Sequence, residues 1–257
     1  MVVWRKVLER SRPLLLRVIQ KSQHMDAPPA DSWLGRVDAR AWPFETSQSV
    51  RLSALVASDN LRHVERTLRR ELPPTALYSM IRTAVEAASL GLWLLDAADE
   101  QLAASRTLRI RRQNIASDRT MWQTFTQAES AEHDKLLSEA TRAHRALKGI
   151  DAADFERAVK STDVIKAVDR VHSEDGDPMF RSMSGLQVWR ATSSVAHVNP
   201  VSMMQLLERH PDGKLGEPAT RTSRLSVVVP FFTTACVRVD SLITTFSARS
   251  RPRRRGR

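Results

Sequence analysis

Cysteine is almost missing from this chain of 257 residues, where Cys236 stands alone. One cysteine excludes an internal disulfide framework and any metal site built from several thiolates. It fits a reducing cytoplasm, and its apolar neighbours mark Cys236 as an inert core thiol. Glycine is scarce too, with 8 in all and none between Gly35 and Gly91. No Gly-rich phosphate loop, G-x-S-x-G elbow or dinucleotide fingerprint occurs, so no cofactor is expected. Tyr78 is the single tyrosine against 6 tryptophans. The tryptophans read as anchors between helices rather than a base-stacking surface. Long apolar runs are also lacking. The stretch MVVWRKVLERSRPLLLRVIQ is charged throughout, unlike a signal peptide. VVVPFFTTACV from Val227 ends at Arg238 and Asp240, short of a bilayer's width. The expectation is a soluble, cytoplasmic protein without a membrane partner.

What the chain has in plenty is alanine, leucine, arginine and glutamate, all good helix formers. From Ser47 to Glu71 the apolar positions Val50, Ala54, Ala57, Leu61, Val64 and Leu68 alternate steps of four and three, which draws one helical face. Pro73-Pro74 stops it. Thr75 to Asp96 contains AVEAASLGLWLL, whose single charge is Glu86, so this helix is expected to be buried on most sides. A polar helix through SRTLRIRRQNIASDRTMWQTF follows, then one from Glu129 to Leu147 closed by Gly149. Asp151 caps DAADFERAVKSTDVIKAVDRV. Asp177-Pro178 and Asn199-Pro200 each place a cap before a proline at the first helical position. They start a helix running to Val198 and a short one, VSMMQLLER. Ser223 to Ser247 fits both strand and helix periods. With no partner strand in view it reads as a helix, kinked or not at Pro230.

The fold expected is therefore all-α. Residues 47–247 form one bundle-like domain of six to eight helices. Residues 1–46 form an irregular or partly helical basic extension, in which Met25 offers a second start that would make residues 1–24 dispensable. Residues 248–257 form a disordered arginine-rich tail. The formal net charge is +11, and it sits in residues 1–22 (+5) and in the tail from Arg249 to Arg257 (+6), which leaves residues 23–248 neutral. Arg251, Arg253, Arg254 and Arg255 could hold nucleic-acid phosphates there, or the tail could simply be solvated.

One short segment looks most like a site. In VWRATSSVAHVNP, Arg190 and His197 stand seven apart, so a helix presents both on one side, with Ser193 between them and Asn199 just beyond. A histidine that moves a proton beside a fixed guanidinium suits metal-free phosphodiester cleavage. The spacing alone says little: roughly three Arg-x(4–6)-His pairs arise by chance at this composition, and the chain holds two, the other being Arg17 with His24. Company makes the second pair stand out. Arg82 and Glu86 lie at i and i+4 amid apolar neighbours, where a carboxylate is costly to bury without a partner. Arg82, Arg109, Arg112 and Arg190 are candidate partners. Such a cluster is either a structural ion-pair network or a polar site. Asp59/His63, Glu129/His133 and Asp169/His172 are acid–histidine pairs at helical spacing in polar surroundings. They read as solvated pairs rather than metal ligands.

The order of Arg82, Glu86, Trp93 and Leu94, then RTLRIRR, then Trp189, Arg190, Ser193 and His197 resembles a group of helical bacterial proteins, common in actinobacteria and similar to HEPN domains. The resemblance covers about residues 50–245. It implies a helical bundle that engages RNA, a homodimer with a composite cleft, and a metal-independent ribonuclease of a defence or stress module with an antitoxin-like partner. Arg190 and His197 would take the catalytic roles. Ala191 departs from the pattern, in which the residue after the arginine is often polar. The other reading is a non-catalytic helical interaction protein whose Arg, Glu and His groups lock the bundle together.

Overall fold

The computed structural model describes residues 2–70, 72–126, 130–172, 183–210 and 220–252. Among the described residues are eleven helices and one two-stranded ribbon, so the all-α expectation holds at that level. The count exceeds six to eight for two reasons. Two helices lie in the segment before residue 47, expected as an irregular or partly helical extension outside that count, and the segment after Asp151 is divided.

The first of these, α1 (Val2–Gln23), buries Leu8, Ser11, Leu15, Val18 and Ser22, again in steps of three and four. It packs against α11 and α3. Arg17 holds Asp240 at 3.2 and 3.1 Å, and the Ser11 and Thr233 hydroxyls meet at 3.0 Å. α2 (Trp33–Ala41) buries Leu34, Val37 and Ala41. The apolar faces of α1 and α2 thus belong to the core. Their charged outer face, together with Pro13 inside α1, hid the apolar stripe from a reading of the sequence.

α3 (Thr46–Arg70) buries every one of the six apolar positions named for it. α4 (Ala76–Leu95) is the central rod, packed against α3, α11, α9, α8 and α5. Its Gly91 is a close-approach position, because a Cβ there would lie 2.8 Å from a Leu242 methyl of α11. α11 (Leu225–Arg249) is one helix with Pro230 inside it, and it buries Phe232, Cys236, Val239, Ile243 and Phe246 on one face. By length and composition it could cross a membrane, contrary to the shorter apolar run expected. In the fold, 61% of its apolar window is covered by the protein. Ala248 and Arg249 belong to this helix and not to a tail. Arg249 lies over Trp33, 4.2 Å from the ring centroid, and Pro252 bridges to Ser32.

A second layer gathers on α5 (Glu100–Thr126), which packs against α2, α6 (Ala131–Arg145) and α7 (Ala152–Glu156). Glu100 accepts from Arg36 at 2.7 Å and lies 2.9 Å from Arg40, tying α2 to α5. The single helix expected after Asp151 is split into α7 and α8 (Ser161–His172). The amide of Gln113 on α5 causes this break. It accepts from the Val159 N–H at 2.8 Å and donates to the Val159 carbonyl at 3.4 Å, giving that peptide partners outside a helix.

α9 (Gly185–Ala196) opens on a capping box between Ser184 and Gln187. The expected start at Asp177-Pro178 lies outside the described residues. Asn199 caps α10 (Pro200–Leu206) as its sequence foretold. β1 (Leu207–His210) pairs antiparallel with β2 (Thr220–Ser223), with Leu207 opposite Ser223, a ribbon the sequence reading did not include. Of the loop expected at 210–220, residues 211–219 lie outside the described set.

Candidate functional site

The two faces of α9 divide the residues of the candidate motif. Arg190 and His197 are exposed, and neither side chain has a hydrogen bond or ion pair with another described residue. His197 is the C-cap of the helix, and its N–H bonds to the Ser193 carbonyl at 2.9 Å. Ser193 faces inward, and its hydroxyl is buried without a partner. Asn199 is spent on the backbone, accepting from the N–H groups of Val201 and Ser202 at 3.1 and 3.3 Å. Between His197 and Asn199, Val198 sits at φ 55°. A β-branched residue in the left-handed region is strained. Around it stand exposed apolar side chains: Val198, Val201 and Met204.

Glu86 is not the buried carboxylate expected from its apolar neighbours; its side chain is 37% exposed. Arg82 approaches it only to 3.9 Å. Its closer partners come from other helices: Trp189 Nε1 of α9 donates at 3.2 Å, and the Ser161 hydroxyl of α8 also donates. The Arg82 guanidinium instead lies 5.5 Å from the Trp189 ring centroid, a cation–π contact. Trp189 therefore contacts both Arg82 and Glu86. The charged cluster that forms here joins α4, α8 and α9 but includes neither Arg190 nor His197.

The buried ion pair exists elsewhere. Arg238 of α11, 8% exposed at its side chain, binds Asp169 of α8. Arg238 also donates to the Ser89 hydroxyl of α4 at 3.3 Å. Asp169 in turn accepts from the Gly185 and Leu186 N–H groups at 3.1 and 2.9 Å. A carboxylate at a helix N-terminus satisfies orphan donors and meets the positive end of the dipole. Gly185 is required by this contact, since a Cβ there would lie 2.4 Å from the guanidinium. Close by, His172 pairs with Asp96 at 2.9 Å, with side chains 11% and 13% exposed. Asp169 and His172, expected as a solvated pair, are thus two largely buried groups with separate partners. Asp59 and His63 remain an exposed pair, and Glu129 lies outside the described residues. A signal for Arg238 was available: a charge inside an apolar helix needs a partner, the same reasoning that drew attention to Glu86.

Arg109 and Arg112 belong to a different place again. They line a groove of about 270 Å³ between α5 and the α7–α8 connection, together with Gln113, Ser117, Thr120, Glu156 and Arg157. Arg112 binds Glu156, and Arg109 donates to the Arg157 carbonyl at 3.2 Å. Behind this wall, His144 is buried, stacks on Phe155 at 4.4 Å and meets the Ser105 hydroxyl at 3.1 Å. Burial, and then the charge of Arg109, push its imidazole below the ordinary value. Burial also pushes the Cys236 thiol up and raises the Tyr78 phenol to about 12. Tyr78 donates to the Leu206 carbonyl at 2.7 Å.

Three tryptophans act as anchors: Trp33, Trp93 and Trp189 stack with arginines at helix contacts. Trp42 and Trp122 are exposed instead. Arg251 is exposed, while Arg253, Arg254 and Arg255 lie outside the described residues. Among the described residues no three His, Cys, Asp or Glu side chains gather as a metal ion would require. Comparison with protein-family models, with curated proteins and with solved structures finds no match.

Proposed function

We propose that this protein is a non-catalytic helical interaction protein of the cytoplasm, whose charged groups serve first to lock its helices together. One observation carries the reading. The carboxylates, guanidiniums and imidazoles with partners on other helices (Asp169 with Arg238, Asp96 with His172, Glu86 with Trp189) are structural, while Arg190 and His197 stand outside that network. A catalytic imidazole normally needs a group that orients it and a cleft that excludes water. His197→Ala tests the reading. The expected result is an unchanged melting temperature and no change in RNA turnover or cell toxicity. Loss of an RNA-cleaving activity with the melting temperature intact would overturn it.

The second reading is a HEPN-like, RNA-engaging protein or metal-independent ribonuclease of a defence or stress module. The exposed apolar residues Val198, Val201 and Met204 beside Arg190 and His197 favour it, because a second copy docked there could complete a composite cleft. In that cleft His197 would move a proton at a 2′-hydroxyl or leaving oxygen, and Arg190 would stabilise charge on the phosphate. Val201→Asp with Met204→Asp should then abolish dimerisation in light scattering together with cleavage of a fluorescent RNA. A monomeric wild-type protein would remove this reading and leave any antitoxin-like partner without a role.

A further inference from the structure

We infer that the groove between α5 and the α7–α8 connection is a binding site for a phosphoryl group, with Arg109, Arg112 and Arg157 as its cationic wall. The site lies apart from Arg190 and His197 and does not depend on either reading of them. Its walls come from one face of α5, where Arg109, Gln113, Ala116 and Thr120 recur at steps of four, three and four with Arg112 and Ser117 beside them, and from Glu156 and Arg157 at the end of α7. The lining holds three guanidiniums and one carboxylate, and with Asp154, which pairs with Arg157, the local net charge is +1, which an anionic phosphoryl group would neutralise. Glu156 is held by Arg112, and Arg157 pairs with Asp154 at 3.1 Å, outside the lining. Arg109 is the cation left over. Among the described residues it has no carboxylate partner, its Nε is buried without a hydrogen bond, and its one bond runs to a carbonyl.

Burial disfavours the charge of Arg109, and an incoming anion would offset that cost. Ser117 adds a hydroxyl donor that an oxyanion can use, whereas the Thr120 hydroxyl already donates to the Ala116 carbonyl at 3.0 Å. Size narrows the ligand further. About 270 Å³ lies just under the ~300 Å³ at which ordinary small-molecule sites begin. A phosphoryl head group fits; an enclosed nucleotide does not.

Titration calorimetry with inorganic phosphate and with phenyl phosphate tests the assignment. Both should bind the wild-type protein saturably, and Arg109→Gln and Arg157→Gln should each weaken them about tenfold. Arg66→Gln, at an exposed position on α3 outside the groove, serves as the control that leaves binding unchanged. Arg157 is 72% exposed at its side chain, so its substitution keeps the test valid even if Arg109→Gln disturbs folding. Short RNA with and without a 5′-phosphate separates the sources of the ligand. A gain that depends on the terminal phosphate assigns the end of a polynucleotide; no gain assigns a small phosphomonoester. Absence of saturable phosphate binding, or equal binding by wild type and both variants, would overturn the proposal. So would RNA binding lost in both variants yet indifferent to the terminal phosphate.

Discussion

The junction of α4, α8, α9 and α11 and the groove beside α5 are both rich in charge, yet they treat it in opposite ways. At the junction Asp169 receives a guanidinium and two backbone N–H groups, and Arg238 receives a carboxylate and a hydroxyl. In the groove the guanidiniums outnumber the carboxylate, and Arg109 keeps an unpaired Nε. Charge that is closed on itself holds helices in place. Charge left over is available to something else.

The largest effect should come from breaking the closed pair. Asp169→Asn leaves Arg238 buried and unpaired, for a loss of about 3 kcal/mol and a fall of roughly 6–12 °C in melting temperature. Asp169→Leu combined with Arg238→Met should recover most of that loss in the same melting experiment. If Asp169→Asn melts like wild type, the contrast between the two regions collapses. Gly185→Ala comes next, because the new methyl meets the Arg238 guanidinium; about 1–3 kcal/mol should be lost in chemical denaturation. The groove side has its own pH signature through His144. Its imidazole is pushed below the ordinary value, so below about pH 6.5 the unfolded chain binds the proton more readily than the fold does. Stability should therefore drop as pH falls through that point, and His144→Phe, tested by melting across pH 5–8, should flatten the drop. The smallest effect sharpens the other face of α9: Val198→Gly relieves the left-handed strain and should raise stability by about 1 kcal/mol.

Much of the fold was legible because it is periodic. The core face of α3, the burial of α4, the Asn199 cap and the apolar face of α11 all follow from spacings of three and four within single segments. What escaped was non-local or masked by charge. Asp169 and Arg238 are 69 residues apart, and no local pattern links them. α1 carries its stripe among basic residues and around a proline, and the α7–α8 break depends on Gln113, 46 residues before its partner. For the candidate site, the sequence named Glu86 as a group in need of a partner but not the partners it found. Arg190 with His197 and Arg109 with Arg112 were grouped together, and the structure sets them in separate places. Spacing along a helix reports which side chains share a side, not whether that side meets a neighbour.

The pairing of α1 with α11 bears on how the molecule is made. Ser11 and Thr233 lie 222 positions apart, so at ~5–20 residues per second the opening helix waits some ten seconds or longer on the ribosome before its mate emerges. During that wait α1 can pack against α3 but not against α11. The contact between α1 and α11 therefore forms only after the helices between them have been made.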